Sequence, residues 1–294
     1  MARLSPDERA FFHEHGYLMV EDAVDAALLA RLQRDFEAWV EESRGHDTAW
    51  GDTLDGRPRF DLEPGHSAEA PKLRRVNAPI EVSDAYYAAT MDSRMVDCVA
   101  DLIGPDVKLH HTKINSKLPG GHTEVKWHQD FPFTPHTNDD VVTALLMVDE
   151  VTETNGALEV LPASHRGPIH GLWHDGVFTG AVSDDVTAAS RPSAELCIGP
   201  AGAVCLMHTR LLHGSAPNRS DRPRTLHISV YSAEDAIPCS PNPMPTRYQG
   251  HLVRGRRTGR VRSIGYEIDL PQLPTTASFF DQQARHVGQD AAGS

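Results

Sequence analysis

Three side chains in the sequence have the types and spacing to hold one metal ion. His128 and Asp130 stand two residues apart in the stretch WHQD at 127–130, and on a β-strand that spacing sends both side chains to the same face. His213 follows 85 residues after His128, at the end of another apolar run, and we expect it to return to the same point as the third ligand. Two imidazoles and one carboxylate leave the opposite side of an ion open, which is typical of non-haem Fe(II) sites.

Length and charge limit what the protein can be. The chain has 294 residues, of which 28 are basic and 41 acidic, so its net charge is −13. A negative charge of this size argues against nucleic acid or an anionic membrane as the main partner. We see no signal segment and no apolar run of membrane-spanning length, so we expect a cytoplasmic protein with a small-molecule substrate. The sequence leaves the oligomeric state open.

Two other features have ordinary interpretations. The cysteines Cys98, Cys197, Cys205 and Cys239 lack the paired spacing of a zinc site or a disulfide framework, so we expect reduced and mostly buried thiols. Five arginines lie in the stretch RGRRTGRVR at 254–262 and could meet a phosphate or an acidic surface. A solvated basic loop that balances an acidic body is the favoured interpretation.

The first 104 residues are predicted to form a helical support. The stretch SPDE at 5–8 combines an N-cap serine, a proline at the first helical position and a glutamate three residues after the cap, so a helix should begin there. The predicted elements are a first helix that ends at Gly16, a strand over 17–20, a second helix from Leu28 to a stop at Gly45, and a third helix over 93–103.

From about Val107 the pattern changes to short β-rich segments separated by turns. Seven or eight strands at these spacings indicate an antiparallel barrel or a double-sheet jelly roll rather than a βαβ fold. The predicted strands are 107–115, 125–131, 141–149, 157–161, 195–198, 203–208 and 225–231.

Two segments lack a clear period. Residues 46–75 are rich in Gly, Asp, Pro and Arg, which is typical of a surface loop that can cover a site. Residues 162–194 interrupt the strands, and an irregular insertion of that length is often a lid. No long linker divides the chain, so we predict one domain over 1–294. Its predicted parts are helical support at 1–104, a jelly-roll core at 105–240 with the lid at 162–194, and a C-terminal extension at 241–294.

Longer motifs follow the first metal ligands in a characteristic order. They are NGALEVLPASH at 155–165 and HGSAPNRS at 213–220, followed by Arg224. Together with WHQD, they resemble the phytanoyl-CoA dioxygenase family of Fe(II)/2-oxoglutarate oxygenases, which includes ectoine hydroxylases and natural-product tailoring enzymes. The resemblance runs from FFHEHGYLMVED at 11–22 to about Tyr231. It implies a mainly β fold, a cupin-like double-stranded β-helix or jelly roll with flanking N-terminal helices, and it implies Fe(II), 2-oxoglutarate and O₂ as cofactors.

The resemblance also implies roles for single residues. His128, Asp130 and His213 are the implied iron ligands, and Arg224 is implied to pair with the C5 carboxylate of 2-oxoglutarate. A guanidinium suits that role because it binds a carboxylate through two parallel hydrogen bonds. Arg222 is a nearby competitor, but the proline between the two arginines favours a turn position for it.

Four further polar residues lie close to these motifs in the sequence. Asn115 matches the family pattern Asn-x-Lys-x-Pro and is the implied contact for the co-substrate. Ser215 would face the same cavity as the preceding ligand if its strand continues, and its hydroxyl could then bind the co-substrate. Lys113 and Lys117 are interpreted as exposed strand lysines, although either could reach an anionic ligand.

Three residues are candidates for substrate contact. Phe133 follows on the side of the ligands if its strand remains regular, and Trp173 is the aromatic residue that we assign to a substrate wall, with core packing as the alternative. His165 belongs to the motif PASH, where fixing the loop and contacting substrate are equally supported. His110 and His111 are adjacent and should point to opposite faces, so one of them could face the pocket.

In the family's chemistry, O₂ and 2-oxoglutarate are consumed to give succinate, CO₂ and an oxidised substrate. Hydroxylation is the first expectation. The carboxylate at Asp130 argues against halogenation but leaves desaturation, cyclisation and epimerisation open. A zinc hydrolase or a non-catalytic metal-binding jelly roll is the alternative of another class. It gives no reason for Arg224 and Ser215 to stand where they do. From the negative net charge we expect a small polar or cationic substrate, such as an amino-acid derivative or a natural-product intermediate.

Overall fold

The computed structural model of this chain describes residues 3–276 and 279–284. The α-helices are α1 (Pro6–His15), α2 (Ala26–Ser43), α3 (Asp84–Met91), α4 (Arg94–Ile103), α5 (Asp184–Ser190) and α6 (Phe280–Ala284). The β-strands are β1 (Tyr17–Val20), β2 (Trp50–Asp52), β3 (Pro58–Leu62), β4 (Leu73–Asn77), β5 (Val107–Lys117), β6 (Val125–His128), β7 (Val141–Met147), β8 (Leu158–Val160), β9 (Trp173–His174), β10 (Val177–Phe178), β11 (Glu195–Cys197), β12 (Val204–His208), β13 (His213–Ser215), β14 (Arg224–Ala233) and β15 (Leu252–Arg254).

The ends of helix α1 follow the capping signals in the sequence. The backbone N–H of Glu8 donates to the hydroxyl of Ser5, and the Glu8 carboxylate accepts from the backbone N–H of Ser5 at 2.7 Å. Gly16 ends the helix with φ +84°, a left-handed conformation that glycine adopts without strain. The predictions of α1, α2 and α4 are confirmed. Helix α3 was missed because its apolar residues do not recur on one face.

Two antiparallel sheets form the β-rich core that the spacing of the strands predicts. The larger sheet has the order β1-β12-β7-β14-β5-β4-β3-β2, with β15 also beside β5. The smaller sheet has the order β11-β8-β13-β6. Apolar side chains from both sheets pack into one interior cluster, so the sheets face each other as in a double-stranded β-helix, or jelly roll.

Strand β7 shows why the sequence of a strand in the larger sheet is a nearly continuous apolar run. Val142, Ala144 and Leu146 point to the helices, whereas Leu145 and Met147 point to the interior between the sheets. Successive side chains on a strand alternate between faces, and here both faces are covered. The helices α2, α3 and α4 therefore support the larger sheet from outside and leave its inner face for the site.

The prediction of a surface loop over 46–75 is wrong. This segment contains β2 and β3 and the start of β4, which extend the larger sheet beyond β5. The prediction was wrong because it took the charged residues of this segment as exposed, whereas several of them are buried and neutralised within the sheet. Arg74, for example, donates from Nε to the carboxylate of Asp61 at 2.6 Å.

The irregular segments pack on the two sheets. In the 162–194 insertion, Leu172, Phe178 and Val182 form an apolar cluster with Trp127 and Leu212. In the described part of the chain, no helix combines the length and the apolar character needed to cross a membrane.

The basic segment at 254–262 lies against acidic side chains of the same chain. Arg254 Nε lies 2.7 Å from the carboxylate of Asp97, and Arg262 Nε lies 3.1 Å from that of Asp235. These two arginines therefore balance part of the acidic body, as the favoured interpretation of the segment expects.

Candidate metal centre and its two chambers

Strand pairing in the smaller sheet brings the two histidines of the predicted metal site together. His128 is the last residue of β6 and His213 is the first residue of β13, and the two are direct partners in the antiparallel ladder. Their ring centroids lie 4.2 Å apart. Residues that are distant in the sequence thus meet because two short strands pair at this position.

Asp130 reaches the histidines from a turn rather than from a strand. Strand β6 ends at His128, and the backbone of Asp130 is helical, with φ −73° and ψ −30°, at the start of a 3₁₀ turn. Its Oδ1 lies 3.5 Å from Nε2 of His128 and 3.8 Å from Nε2 of His213. The three donor atoms all lie within 4.8 Å of one another. The expectation that both residues of the pair project from one strand face is therefore corrected, although their side chains converge.

Hydrogen bonds orient each donor toward the common point. His128 Nδ1 lies 2.7 Å from the carbonyl oxygen of Lys126, and His213 Nδ1 lies 2.9 Å from that of Leu211. Each Nδ1–H donates to a carbonyl, so each Nε2 presents a lone pair to the site. The donor set of two imidazoles and one carboxylate fits a divalent iron ion.

The electrostatics of the site favour the protonation states that a metal needs. Burial lowers the pKa of His213 to about 4, so its imidazole is neutral at pH 7. Burial alone would raise the pKa of Asp130. The close approach of the two imidazoles and of the Lys113 ammonium instead holds that pKa well below its usual range. A neutral imidazole and an ionised carboxylate are the ligand forms that bind a cation.

One chamber, which we call the inner chamber, lies between the two sheets on one side of the ligands. Its polar lining includes Asn115, Ser215 and Arg224, all of which were predicted as co-substrate contacts. The apolar lining comes from both sheets and includes Leu145, Leu158, Leu226 and Ile228.

The polar end of the inner chamber is cationic. Arg224 donates from Nε to the carbonyl of Gly156 at 2.9 Å and from an Nη to the hydroxyl of Ser215 at 3.4 Å. Burial lowers the pKa of Arg224 to about 10, so it remains charged at pH 7. Lys117 Nζ lies 2.7 Å from the same hydroxyl. This end of the chamber can therefore receive an anionic group.

The prediction that Lys113 and Lys117 are exposed strand lysines is wrong. Strand β5 lies between β4 and β14, so neighbouring strands cover its edges and other layers cover its faces. Lys113, Asn115 and Lys117 alternate onto the inner face, where Lys113 lines both chambers and Lys117 hydrogen-bonds at the end of the inner one. Their shared spacing of two residues was the sequence signal for this placement.

A second cavity, the outer chamber, shares Lys113, His128, Asp130 and Phe279 with the inner chamber. Its lining includes Arg57, Arg75, His111, Lys113, Phe133 and Phe279. The ring of Phe133 stands perpendicular to that of His128, with centroids 5.6 Å apart. Phe133 thus contacts the metal centre from the outer chamber, even though Pro132 breaks the strand that was expected to carry it.

The other two candidates for substrate contact lie elsewhere. Trp173 stacks edge-on against Phe178 and donates from Nε1 to the carbonyl of Leu270 at 3.0 Å, one layer behind Phe133. His165 is buried, with Nε2 3.2 Å from the carbonyl of His13. Among the described residues that line the two chambers, neither Trp173 nor His165 occurs.

Several residues that line the outer chamber were not predicted from the sequence. The segment that covers this chamber is also different from the predicted lid. Residues of the C-terminal extension close the chamber, including Met244, Pro274, Phe279 and Gln282. The predicted lid at 162–194 contributes no residue to its described lining. The sequence of the C-terminal extension has no hydrophobic periodicity. The aromatic pair at 279–280 was the signal that could have indicated a buried position near the site.

The fold and the donor set define a class of protein. The jelly roll holds two imidazoles and a carboxylate at one end, and a cationic pocket lies beside them. These features define an oxidoreductase of the Fe(II)/2-oxoglutarate-dependent dioxygenase class. The model of the phytanoyl-CoA dioxygenase (PhyH) family matches residues 12–226. The chain belongs to this family.

Individual relatives agree with that assignment. A probable alpha-ketoglutarate-dependent hypophosphite dioxygenase from Stutzerimonas stutzeri is 32% identical over 271 residues, which are 90% of this chain and 91% of that protein. An ectoine dioxygenase from Streptomyces avermitilis is 26% identical over 258 residues, 82% of either chain. The crystal structure of EctD from S. alaskensis in its apoform has a TM-score of 0.64 and 23% identity, covering 92% of this chain and 89% of that one, and shows the same fold.

Proposed function

We propose that this dioxygenase hydroxylates a small molecule at an unactivated C–H bond, or at another element–hydrogen bond, and that residues 1–294 form one catalytic domain. The balanced reaction takes R–H, O₂ and 2-oxoglutarate to R–OH, succinate and CO₂. One oxygen atom of O₂ enters succinate and the other enters the product. His128, Asp130 and His213 hold Fe(II) in this proposal, because they alone among the described residues form a cluster with metal-ligand spacing.

The observation that carries the proposal is that two chambers meet at these ligands. The inner chamber ends at Ser215 and the buried cation Arg224, which suit the C5 carboxylate of 2-oxoglutarate. Asn115 lines the same chamber beside Lys113. The keto acid would therefore extend from Arg224 toward the metal centre.

Residues at the metal centre and in the two chambers have different roles in this proposal. Fe(II) at this site supplies O₂ activation coupled to the decarboxylation of 2-oxoglutarate. Thr143 and the two carbonyls that accept from the histidines hold the ligands in place. The apolar walls of the inner chamber exclude water, and Phe133 and Phe279 shape the outer chamber, where the substrate binds.

Two alternatives predict different products. Desaturation, cyclisation or epimerisation would use the same oxidant but leave no new oxygen in the product. A zinc hydrolase or a non-catalytic barrel needs neither 2-oxoglutarate nor the buried Arg224 beside Ser215. The cationic end of the inner chamber therefore favours an oxygenase over both members of this second class.

Labelling with ¹⁸O₂ tests the proposal. Protein reconstituted with Fe(II) is supplied with 2-oxoglutarate and candidate small molecules, and succinate and products are analysed by mass spectrometry. We expect Fe(II)-dependent succinate carrying one ¹⁸O and a product carrying the other. A product without the label would replace hydroxylation by one of the other oxidative outcomes. Absence of Fe(II)-dependent succinate formation would overturn the proposal.

A further inference from the structure

The outer chamber has the opposite charge to the protein as a whole. The chain carries a net charge of −13, yet the chamber is lined by the cationic side chains of Arg57, Arg75 and Lys113. Among its described lining residues Asp130 is the one carboxylate, and it serves as a metal ligand in the proposed function. The described lining of the chamber therefore contains more cationic than anionic side chains.

Arg57 has a structural role in this set. Its Nε donates to the carboxylate of Asp55 at 2.8 Å, which neutralises its charge. Its Nη atoms donate to carbonyls of the C-terminal extension, those of Pro243 and Pro274. Arg57 thus fastens the cover of the chamber to β3 and is not the group that a substrate needs.

Lys113 makes no direct ion pair in the described residues, and the carboxylate that acts on its charge is that of Asp130, a metal ligand in the proposed function. In the described residues, no carboxylate forms an ion pair with its Nζ and no carbonyl accepts a hydrogen bond from it. Its ammonium lies over the ring of Phe279, 5.7 Å from the centroid. Burial and the charge of Arg75 lower the pKa of Lys113 to about 8, so the ammonium form still predominates at pH 7. A partly buried cation of this kind is stabilised when a ligand of opposite charge joins it.

Arg75 is held in a fixed orientation close to Lys113. Strands β4 and β5 pair Arg75 with Asn115 and Asn77 with Lys113, so Arg75 and Lys113 are diagonal neighbours on the same face. The guanidinium of Arg75 stacks over the ring of Phe279, 4.7 Å from its centroid, and donates from Nε to Asn115 Oδ1 at 3.0 Å. Stacking and hydrogen bonding keep this cation in place before a substrate arrives.

We propose that the substrate is a small anion whose carboxylate or phosphorus oxyanion lies beside Lys113 and Arg75 in the outer chamber, with its reactive hydrogen toward the metal ligands. This inference rests on the proposed function, because it takes the iron centre as the reacting side of the chamber. With Phe279 in place the cavity measures about 50 Å³, which suits a compact molecule rather than a long acyl thioester. This proposal differs from the expectation of a small polar or cationic substrate, because Asp130 is the one carboxylate among the described residues that line the chamber.

Binding of matched probes tests the proposal. Propionate, methylphosphonate and hypophosphite are compared with propionamide, a neutral analogue, and ethylammonium, a cation. Dissociation constants are measured by ligand-observed NMR on the iron-free protein and by the change that each probe causes in the visible band of the anaerobic Fe(II)–2-oxoglutarate complex. We expect at least one anion to bind about 10-fold or more tightly than propionamide and ethylammonium.

Variants locate the binding group. Lys113→Met should weaken binding of the anion by roughly 10- to 100-fold, the effect of losing one hydrogen bond to a charged group, while Lys113→Arg should retain most of it. Lys72→Met, at a lysine outside both chambers, is the matched control and should bind the anion as wild type does. Because Lys113 lines both chambers, the dissociation constant of 2-oxoglutarate is measured in the same variant and should rise less than that of the anion.

Three results would overturn the inference. The first is equal binding of neutral, cationic and anionic probes. The second is an anion affinity that Lys113→Met leaves intact. The third is a Lys113→Met variant that loses 2-oxoglutarate rather than the probe, which would assign the lysine to the co-substrate. The NMR arm needs no iron, so a missing visible band would count against the proposed function and not against the anion site.

Discussion

The hydroxyl of Thr143 donates a hydrogen bond of 2.6 Å to Oδ2 of Asp130, while Oδ1 of the same carboxylate faces the two imidazoles. Thr143 lies on β7 of the larger sheet, whereas both histidines lie on the smaller sheet. The carboxylate that leaves its own strand at a turn is thus held by the opposite sheet. This bond fixes which oxygen faces the two imidazoles.

Replacing Thr143 should weaken the metal centre without removing a ligand. In Thr143→Val the carboxylate loses its partner and can rotate, so we expect the affinity for Fe(II) to fall by roughly 10- to 100-fold, as is common for groups that orient metal ligands. Competition with a chelator of known affinity measures this loss. Thr143→Ser retains the hydroxyl and should stay close to wild type. Equal affinities in the valine and serine variants would contradict the role given to the bond.

Arg224 should control the affinity for 2-oxoglutarate. In Arg224→Gln a charged hydrogen-bonding group is lost from the closed end of the inner chamber, and we expect the dissociation constant of 2-oxoglutarate to rise by about 10- to 100-fold. Arg222→Gln is the matched control, because Arg222 is exposed and pairs with Glu150 at 3.0 Å. Calorimetric titration of both variants with 2-oxoglutarate measures this difference. A similar loss of affinity in the two variants would argue against the assignment of Arg224 to the co-substrate.

A buried histidine should make the fold less stable in acid. His227 lies between β5 and β7 on β14, its ring packs edge-on against Tyr86, and burial lowers its pKa to about 3. The unfolded chain has a pKa near 6.5 at this residue, so below that pH the unfolded state binds more protons and the free energy of unfolding falls. The loss continues until the pH reaches the folded pKa.

The contribution of His227 can be isolated by substitution. At pH 5.0 it should amount to about 2 kcal/mol relative to pH 7.5. Urea unfolding at both pH values is compared for wild type and His227→Phe. The variant should lose less stability on acidification by about this amount. An identical loss in both proteins would show that this histidine is not held neutral.

The four cysteines should differ sharply in reactivity. Cys98, Cys197 and Cys205 are buried, and burial raises the pKa of Cys98 to about 11, which disfavours the reactive thiolate. Cys239 is exposed. Titration of the native protein with an aromatic disulfide reagent should therefore show one fast thiol, which Cys239→Ser removes, and four thiols after unfolding. Two fast thiols in the native protein would contradict the buried placement.

Local periodicity was sufficient to predict most of the core strands, and the spacing and order of the motifs indicated which side chains converge at the candidate metal centre. The predicted strand over 141–149 corresponds to β7, and the motif WHQD contains His128 and Asp130, whose side chains converge with that of His213. Such signals depend on neighbours in the sequence, as do the capping residues of α1. Predictions from such signals are correct where the local preference of the sequence and the tertiary packing agree.

The lining of the outer chamber could not be predicted in this way, because it depends on pairing between distant segments. Arg75 reaches the chamber only because β4 pairs with β5, and Phe279 reaches it from the C-terminal extension. The charged residues in 46–75 suggested a loop, since their partners across the sheet were not visible in the sequence. His110 and His111 also meet, with their Nδ1 atoms 2.7 Å apart, because a bulge in β5 opposite β14 breaks the alternation of side chains.

The most direct test of the central claim is an anaerobic titration of the Fe(II)-loaded protein with 2-oxoglutarate, followed by visible absorption, in wild type and in Asp130→Ala. Chelation of iron by the keto acid produces a weak charge-transfer band. We predict a saturable band in wild type and its loss in Asp130→Ala, which keeps both histidines but lacks the carboxylate. If wild type shows no band and instead binds zinc tightly without any response to 2-oxoglutarate, the site is not the iron and 2-oxoglutarate centre described here.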